Sequence, residues 1–407
     1  MTTTLQLAGD YYDRAHEINA ALRANGPAHP VTLQEGLSVW VVTRYADARD
    51  ALADPRLRKD IAGLGAIMRK QLGMPVDAPL PGMYRDTILY KSGPQHMQER
   101  RSVARAFSPR RIEALRPRIT QFTIDTLRAL PQDRPVDLIQ ELAYPLPLTV
   151  ICELLGVPIA ERPSLRRWTS ALVQNADQNR AQTATEEMEI YLSQLVNRKR
   201  IVPGDDLIST LLAGDDDQRL SHDQLVSTLT LLIVAGHDTT TSLIGNAIFH
   251  LLADPHRWTL LRNYPALIPS AIDELIRYDA PVAMATHRYT TEAVTYGDPA
   301  IPGDQVTIPP GQIVLISLLS AGRDNQQFGP DADALNLHRD ASGHLGFGHG
   351  PHYCLGAMLG KLEAEVVLST LTQQFPDAAL AVDGDTLKHG PSVIIHGLQE
   401  LPVCLRR

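Results

Sequence analysis

The chain contains little cysteine. Only three cysteines occur among its 407 residues, Cys152, Cys354 and Cys404, and they lie far apart in the sequence. An odd and scattered set forms neither a disulfide framework nor the paired spacing of a structural zinc site. We therefore expect a protein of a reducing compartment, namely the cytoplasm.

Long apolar runs and an excess of positive charge are missing as well. No stretch approaches the roughly 18 consecutive apolar residues of a membrane-spanning helix, and residues 1–10 do not resemble a signal peptide. Lysine and arginine together number 38 against 46 acidic residues, which gives a formal net charge of −8. This balance does not favour general binding to nucleic acid or to an anionic membrane surface, so we expect neither partner.

Most of the remaining sequence has helical periodicity, and we expect a mainly α protein with a minor β region. The expected helices are 113–130, 136–155, 186–200, 221–253, 266–278 and 355–374. The expected strands lie at 39–45 and within 286–319. Because both ends of the chain supply the β region, we expect one domain over residues 1–407.

The segment 62–92 differs from its surroundings because it is rich in proline and glycine and shows no clear periodicity. Long irregular segments in compact domains are usually lids over binding sites or poorly ordered surface loops. Both interpretations remain open for this segment, and either predicts irregular backbone.

The longest expected helix, 221–253, would span roughly 50 Å at 1.5 Å per residue. It opens with a capping-box pattern, Ser221 followed by Gln224. Its middle carries the sequence AGHDTT at 235–240, although glycine costs about 1 kcal/mol in a helix and a buried unpaired carboxylate costs more. One interpretation is a kinked core helix with a satisfied aspartate. The other is an acid–alcohol pair, Asp238 and Thr239, that delivers protons beside a bound small molecule.

A second motif, FGHGPHYCLG at 347–356, leads a glycine-rich turn into the expected helix 355–374. Cys354 lies at the N-terminus of that helix, where free backbone N–H groups favour the thiolate form. A thiolate without neighbouring cysteine or histidine ligands points to haem iron rather than zinc. The alternatives are a small buried apolar residue, our interpretation of Cys152 and Cys404, or a nucleophile, for which no paired base is evident.

A third motif, ELIR at 274–277, says little alone because acid–base pairs three residues apart are common on helices. In this order and spacing, however, the three motifs resemble the cytochrome P450 superfamily, and specifically its bacterial members. FGHGPHYCLG resembles the haem-binding signature, AGHDTT the oxygen-activation motif and ELIR the E-x-x-R motif. The resemblance extends over nearly the whole chain, including GPQHMQERRSVARAFSPRR at 93–111.

The resemblance implies a cytochrome P450 fold, with the long central helix over a haem b that is sandwiched against the cysteine-ligand loop. It makes Cys354 the axial iron ligand and gives proton delivery to Asp238 and Thr239. The implied partners of the haem propionates are His96, Arg100, Arg288 and His352. The implied buried structural triad is Glu274, Arg277 and Arg339.

The resemblance also implies a monooxygenase that inserts one atom of O2 into a C–H bond or an alkene of a bulky apolar small molecule. The closest likeness is to members that tailor polyketides and macrolides, with ferredoxin and ferredoxin reductase passing electrons from NAD(P)H. The alternatives are peroxide-driven or non-hydroxylating chemistry, or a haem sensor without turnover. The expected pocket segments are 62–92, 231–236 and 282–286.

Residues 100–118 contain seven arginines, although the chain is acidic overall. The simpler interpretation is a solvated helix face with propionate partners. The functional interpretation is a docking surface for an acidic ferredoxin, since local positive charge raises the encounter rate with such a partner. Helical spacing predicts that His96 and Arg100 point inward, whereas Arg101 and Arg105 face solvent.

Overall fold

The computed structural model describes residues 5–78, 80, 87–173, 178–214 and 219–406. The described α-helices are α1 (Ala15–Asn25), α2 (Tyr45–Ala53), α3 (Ile61–Gln71), α4 (Gly93–Ala106), α5 (Pro109–Glu113), α6 (Arg116–Ala129), α7 (Pro145–Leu155), α8 (Arg162–Val173), α9 (Gln178–Ile201), α10 (Leu207–Leu212), α11 (His222–Leu252), α12 (Pro255–Asn263), α13 (Ile268–Tyr278), α14 (Leu318–Gly322), α15 (Asn325–Phe328) and α16 (Ala357–Gln374). None of these helices combines the length and apolarity needed to cross a bilayer.

The described strands are β1 (Leu5–Leu7), β2 (Ala28–Leu33), β3 (Ser38–Val42), β4 (Leu57–Arg58), β5 (Val136–Asp137), β6 (Met284–Thr290), β7 (Val294–Tyr296), β8 (Val306–Ile308), β9 (Ile313–Ser317), β10 (Ala379–Leu380) and β11 (Pro402–Cys404). The largest sheet has the order β1-β2-β3-β9-β6-β4. In it the N-terminal strand β3 pairs in parallel with β9, with Trp40 opposite Val314. The expectation of a mainly α protein with a minor β region built from both ends of the chain is confirmed.

Helix α11 has the predicted bounds because its N-terminus is capped as the sequence suggested. Ser221 Oγ accepts from the Gln224 N–H at 3.2 Å, and the Ser221 N–H donates to Gln224 Oε1 at 2.8 Å. Its 31 residues pack against α7, α9, α13 and α16. Most of the segment from Thr240 to Ile248 is buried, so α11 forms the centre of the main apolar core.

Two expected helices are interrupted. Residues 136–155 begin with a strand instead, since Val136 pairs with Val403, and continue through a π-helical turn to α7. Residues 113–130 contain the end of α5 and all of α6, with a break at 114–115 before Pro117. Proline is tolerated in a first helical turn, where its missing N–H is not needed, so α6 begins there.

The prediction of irregular backbone over 62–92 is wrong for its first third, where α3 lies. Asp60 caps this helix by accepting from the Gly63 N–H at 3.2 Å, and Leu64 and Met68 form its buried face. Gly63 serves packing, because a Cβ there would lie 2.2 Å from the hydroxyl oxygen of Tyr289. Glycines at such contacts hide the helical pattern from sequence analysis. Residues 79 and 81–86 lie outside the described residues.

Candidate active site

The cysteine loop, residues 347–356, is a tight glycine-rich turn that ends directly before α16. Gly348 and Gly350 have φ values of +76° and +70°, a backbone conformation that favours glycine. A Cβ at Gly350 would also lie 3.1 Å from Ala53 Cα in α2. The Cys354 N–H donates to Phe347 O at 2.9 Å. Cys354 follows this turn and is accessible, although it is surrounded by protein.

The environment of Cys354 raises the pKa of its thiol above the ordinary value. Desolvation by the surrounding protein is the largest cause, and it outweighs the Gly356 N–H, the Arg100 charge and the Ala357 N–H, which all lower the pKa. The N–H groups at the helix N-terminus favour the thiolate as predicted, but desolvation outweighs them in the free protein. Binding to a metal ion, which replaces the proton, would favour the thiolate.

The middle of α11 is unusually accessible for a core helix. Val234 is 36% exposed and Ala235 is also exposed, although Ile233 and His237 beside them are buried. A Cβ added to Gly236 would meet no atom within 4 Å. Accessible residues at the centre of a buried helix require open space beside it. The residues beside this space belong to the predicted pocket segment 231–236.

Helix α16 connects this space to the cysteine loop. A Cβ at Gly360, six residues after Cys354, would contact Thr240 Oγ1 in α11 at 3.7 Å. Met358, between the cysteine and this contact, is 48% exposed. Accessible residues therefore lie on both sides of this contact, at 234–235 in α11 and at 354 and 358 beside the start of α16, and they border what we term the open region.

Asp238 and Thr239 differ in how they are held. Thr239 Oγ1 donates to Ala235 O at 2.7 Å, and α11 continues through this position without a break. The Asp238 carboxylate has no hydrogen bond within the described residues, and burial raises its pKa to about 7. Its neighbour His237 is held by Tyr144 O at 2.8 Å, and burial lowers its pKa to about 4. Asp238 is therefore an acid that can exchange its proton near neutral pH.

Five basic side chains converge on one pocket, and four of them are the predicted anion ligands His96, Arg100, Arg288 and His352. The His96 and His352 rings stack with centroids 4.0 Å apart. Arg288 is 3% exposed, and its Nε has no hydrogen-bond partner among the described residues. Arg100 donates to Tyr353 O, one residue before the cysteine.

The fifth basic group, Lys59, was missed by sequence analysis. It follows β4, is 2% exposed and donates to Thr286 Oγ1 at 2.6 Å. Thr286 therefore belongs to this polar pocket rather than to the apolar pocket predicted over 282–286. No local pattern marks Lys59, because its burial depends on the pairing of β4 with β6. Together with the four predicted ligands it forms what we term the cation pocket.

Charge in the cation pocket is unbalanced. None of its five groups forms an ion pair with an acid within the described ranges. Burial and, next, the charges of Arg100 and Lys59 lower the pKa of His96 to about 4, and burial lowers that of Arg288 to about 10. Burial and then the Arg288 charge also lower the pKa of Lys59. Buried cations that destabilise one another fit a ligand with two carboxylates, and haem carries two propionates.

The predicted triad is assembled in the core. Arg277 contacts Glu274 through two nitrogen–oxygen pairs at 2.6 and 2.8 Å, and neither side chain is exposed. The Arg277 guanidinium also donates to the carbonyls of Gly322, Ala332 and Ala334. Arg339 Nε lies 3.4 Å from Glu274 Oε1. These bonds hold the segment 332–339 that leads to the cysteine loop.

Comparison with known proteins agrees with this geometry. The family model of cytochrome P450 matches residues 159–263 and 261–384. The chain is 41% identical to the vitamin D(3) 25-hydroxylase of Pseudonocardia autotrophica over 400 residues, 98% of this chain and 95% of the relative. The chain belongs to the cytochrome P450 family. This P450 is also 40% identical to the monooxygenase PikC of Streptomyces venezuelae, with 98% of this chain and 93% of the relative covered.

A solved structure extends the similarity to the fold of this P450. The tirandamycin C-bound P450 monooxygenase TamI is 38% identical, with a TM-score of 0.88 and coverage of 99% of this chain and 100% of that chain. Members of the family carry haem b with an axial cysteine thiolate, take electrons from redox partners and bind bulky small molecules. This P450 is an oxidoreductase of the monooxygenase class, and the predicted fold is confirmed.

Proposed function

We propose that this P450 hydroxylates or epoxidises a polyketide or macrolide, using O2 and electrons that pass from NAD(P)H through ferredoxin reductase and ferredoxin. The observation that carries the proposal is the open region between Cys354 and the middle of α11. Its accessible aliphatic residues suit a bulky apolar substrate. Two relatives support the substrate class: the mycinamicin IV hydroxylase/epoxidase of Micromonospora griseorubida, 37% identical, and the polyketide biosynthesis P450 PksS of Bacillus subtilis, 33% identical.

The residues that would hold the haem are Cys354 at the iron and the cation pocket at the propionates. The open region beside α11 and the cysteine loop would take the flat ring, and the glycines of the cysteine loop would allow close backbone approach. Lys59 and Arg288 are already buried, so two propionates would restore the charge balance that the protein lacks. When bound, the haem supplies the activation of dioxygen and the oxidising chemistry.

Asp238 and Thr239 would control the protons of the reaction. The Thr239 hydroxyl donates its hydrogen to Ala235 O. The lone pairs of the Thr239 oxygen are therefore free to accept a hydrogen bond from a proton donor in the open region. The Asp238 side chain is 24% exposed, so it can take a proton from water and release it inward. A pKa of about 7 suits both steps of such a relay.

The electron donor would dock on the arginines that the structure leaves unpaired. Three of the seven contact the protein's own acids: Arg111 with Asp205, Arg116 with Glu365 and Arg118 with Glu153. Arg100 belongs to the cation pocket. The remaining three, which we term the arginine patch, are exposed and have no ion pair within the described residues: Arg101, Arg105 and Arg110. Since Arg100 contacts Tyr353, the patch lies near the cysteine side, where electrons must enter.

We further propose that the chain is one domain over 1–407 and works in the cytoplasm. The largest sheet, which joins β1–β3 to β6 and β9, supports a single folding unit. The three free cysteines, none of them in a disulfide, suit a reducing compartment.

Two measurements test the proposed function. The reduced carbon monoxide complex is expected to show the thiolate type of Soret band, which Cys354→Ser should lose and Cys404→Ser should keep. Turnover of a macrolide panel with ferredoxin, its reductase, NADH and ¹⁸O2 should place one ¹⁸O atom in the product. A normal band in Cys354→Ser would contradict the ligand assignment. Products formed only with added peroxide would favour peroxide-driven chemistry. The absence of any product would favour a haem sensor without turnover.

A further inference from the structure

Three histidines from distant parts of the chain contact one buried carboxylate, Asp279, at the C-terminus of α13. Asp279 is 4% exposed. Its Oδ1 lies 2.8 Å from His16 Nε2 and 3.1 Å from His396 Nε2, and its Oδ2 lies 2.8 Å from His250 Nε2. None of these residues takes part in the haem site or in the proposed proton relay.

The backbone of His396 is held by two hydrogen bonds, whereas its ring nitrogen Nε2 approaches the Asp279 carboxylate at 3.1 Å. His396 is 4% exposed, its N–H donates to Pro281 O at 2.9 Å and its carbonyl accepts from Asn246 Nδ2 at 2.9 Å. Its Nε2 lies near Asp279 but makes no hydrogen bond within the described residues. A buried ring nitrogen that meets a carboxylate without hydrogen-bond geometry is unusual in folded proteins. This arrangement points to a ligand that uses the nitrogen lone pair.

The chemistry of the cluster selects a metal ion. His16 Nε2, His396 Nε2 and one Asp279 oxygen all lie within 4.8 Å of one another. Two imidazoles and one carboxylate suit a divalent ion such as zinc, and three protein ligands leave a position for water. His250, bonded to the other oxygen, would orient the carboxylate from outside. We propose that His16, Asp279 and His396 bind a divalent transition-metal ion, for which zinc is the probe.

Arg323 is the charged group that opposes such an ion. Its Nη2 lies 3.2 Å from His16 Nε2, while its Nε donates to Tyr278 O at 2.8 Å and its guanidinium stacks 3.8 Å over the Tyr278 ring. A metal ion held by His16 would lie beside this guanidinium, whose positive charge opposes binding. Replacing Arg323 should therefore strengthen metal binding.

The remaining charges near the cluster cancel one another. His389 stacks on His396 with ring centroids 4.0 Å apart, and its Nδ1 lies 3.7 Å from Asp13 Oδ1. Asp13 is paired with Lys388 at 3.0 Å. A bound ion would tie α1 near the start of the chain to α13 and to the turn around residue 396. It should therefore stabilise the fold as a whole.

The test uses untagged, haem-loaded protein that has been treated with a chelator and then dialysed against zinc. Wild type should bind one zinc per chain, with an unchanged Soret band because the ion is not at the haem. The double variant His16→Gln/His396→Gln should bind at least about tenfold more weakly. His256→Gln, at an exposed position on α12, is the matched control and should bind as wild type does. Absence of zinc from wild type, or equal binding by the double variant, would overturn the proposal.

A second measurement covers the case in which the double variant does not fold. Zinc should raise the Tm of wild type by a few degrees, and the Tm of Arg323→Met by more at the same concentration. The affinity of Arg323→Met for zinc should also be several-fold higher in the dialysis assay. Zinc that leaves both melting temperatures unchanged would refute the site.

Discussion

At the scale of single residues, Asp238 illustrates how a helix position becomes a proton donor. Its carboxylate has no described hydrogen-bond partner, and burial raises its pKa to about 7. Asp238→Asn removes the ionisable group with little change of shape, so we expect turnover to fall about 100-fold while substrate affinity stays near normal. Steady-state rates with saturating ferredoxin measure this effect.

The same pKa gives a pH dependence with a definite sign. The acid form donates the proton, so the wild-type rate should fall as the pH rises through about 7. Asp238→Asn should lose this dependence. Asp223→Asn, at an exposed position in the first turn of the same helix, should keep it. An unchanged pH profile in Asp238→Asn would remove this carboxylate from the relay.

Thr239 has a different role from Asp238 in proton delivery. Its hydroxyl donates to Ala235 O and so presents lone pairs to the open region. Thr239→Ala should therefore consume NADH at a similar rate but yield several-fold less oxygenated product and more peroxide, because protons arrive at the wrong place. Thr239→Ser, which keeps the hydroxyl, should restore much of the coupling. The ratio of product to NADH consumed measures this, and an equal ratio in all three proteins would contradict the assignment.

At the scale of elements, α4 contributes to two functions through opposite faces. His96 and Arg100 turn inward to the cation pocket, whereas Arg101 and Arg105 are exposed, as helical spacing predicted. Arg116 pairs locally with Glu113, but the pairs with Asp205, Glu365 and Glu153 could not be predicted, because those acids lie far away in the sequence. Of the seven arginines, tertiary contacts therefore leave only the three of the arginine patch exposed and without an ion pair within the described residues.

The arginine patch predicts a salt-sensitive electron-transfer partner. Arg105→Glu should slow reduction by ferredoxin several-fold at low ionic strength, and the difference should shrink as salt screens the charges over roughly 10 Å. Substrate binding should not change. Arg128→Glu, an identical charge change at an exposed position of α6, serves as the control. Equal effects of the two substitutions in stopped-flow reduction would refute the docking surface.

At the scale of the whole molecule, the cation pocket joins segments that are almost 300 residues apart. Lys59 follows β4, Arg288 lies in β6 and His352 precedes the cysteine. Lys59→Met should weaken haem retention, because the loss of one charge-assisted contact raises the rate of haem loss about tenfold or more. Transfer of haem to apomyoglobin measures that rate. Lys70→Met, exposed on α3, should lose haem as slowly as wild type.

Local patterns in the sequence determined the parts of this protein that depend on neighbouring residues. The capping box of α11, the glycine turn before Cys354 and the Glu274–Arg277 pair each involve spacings of a few residues. Such spacings set backbone geometry directly, so the central helix and the cysteine loop could be predicted. The hydrogen bond from Thr239 to Ala235 belongs to the same class.

Only the tertiary structure decided which distant side chains meet. Lys59 enters the cation pocket because β4 pairs with β6, and Asp279 meets His16 and His396 because both ends of the chain pack against α13. The pKa of Cys354 is also a tertiary property, since desolvation outweighs the local N–H groups. The physical reason is that burial and long-range charge depend on how elements pack, and no spacing along the chain records that packing.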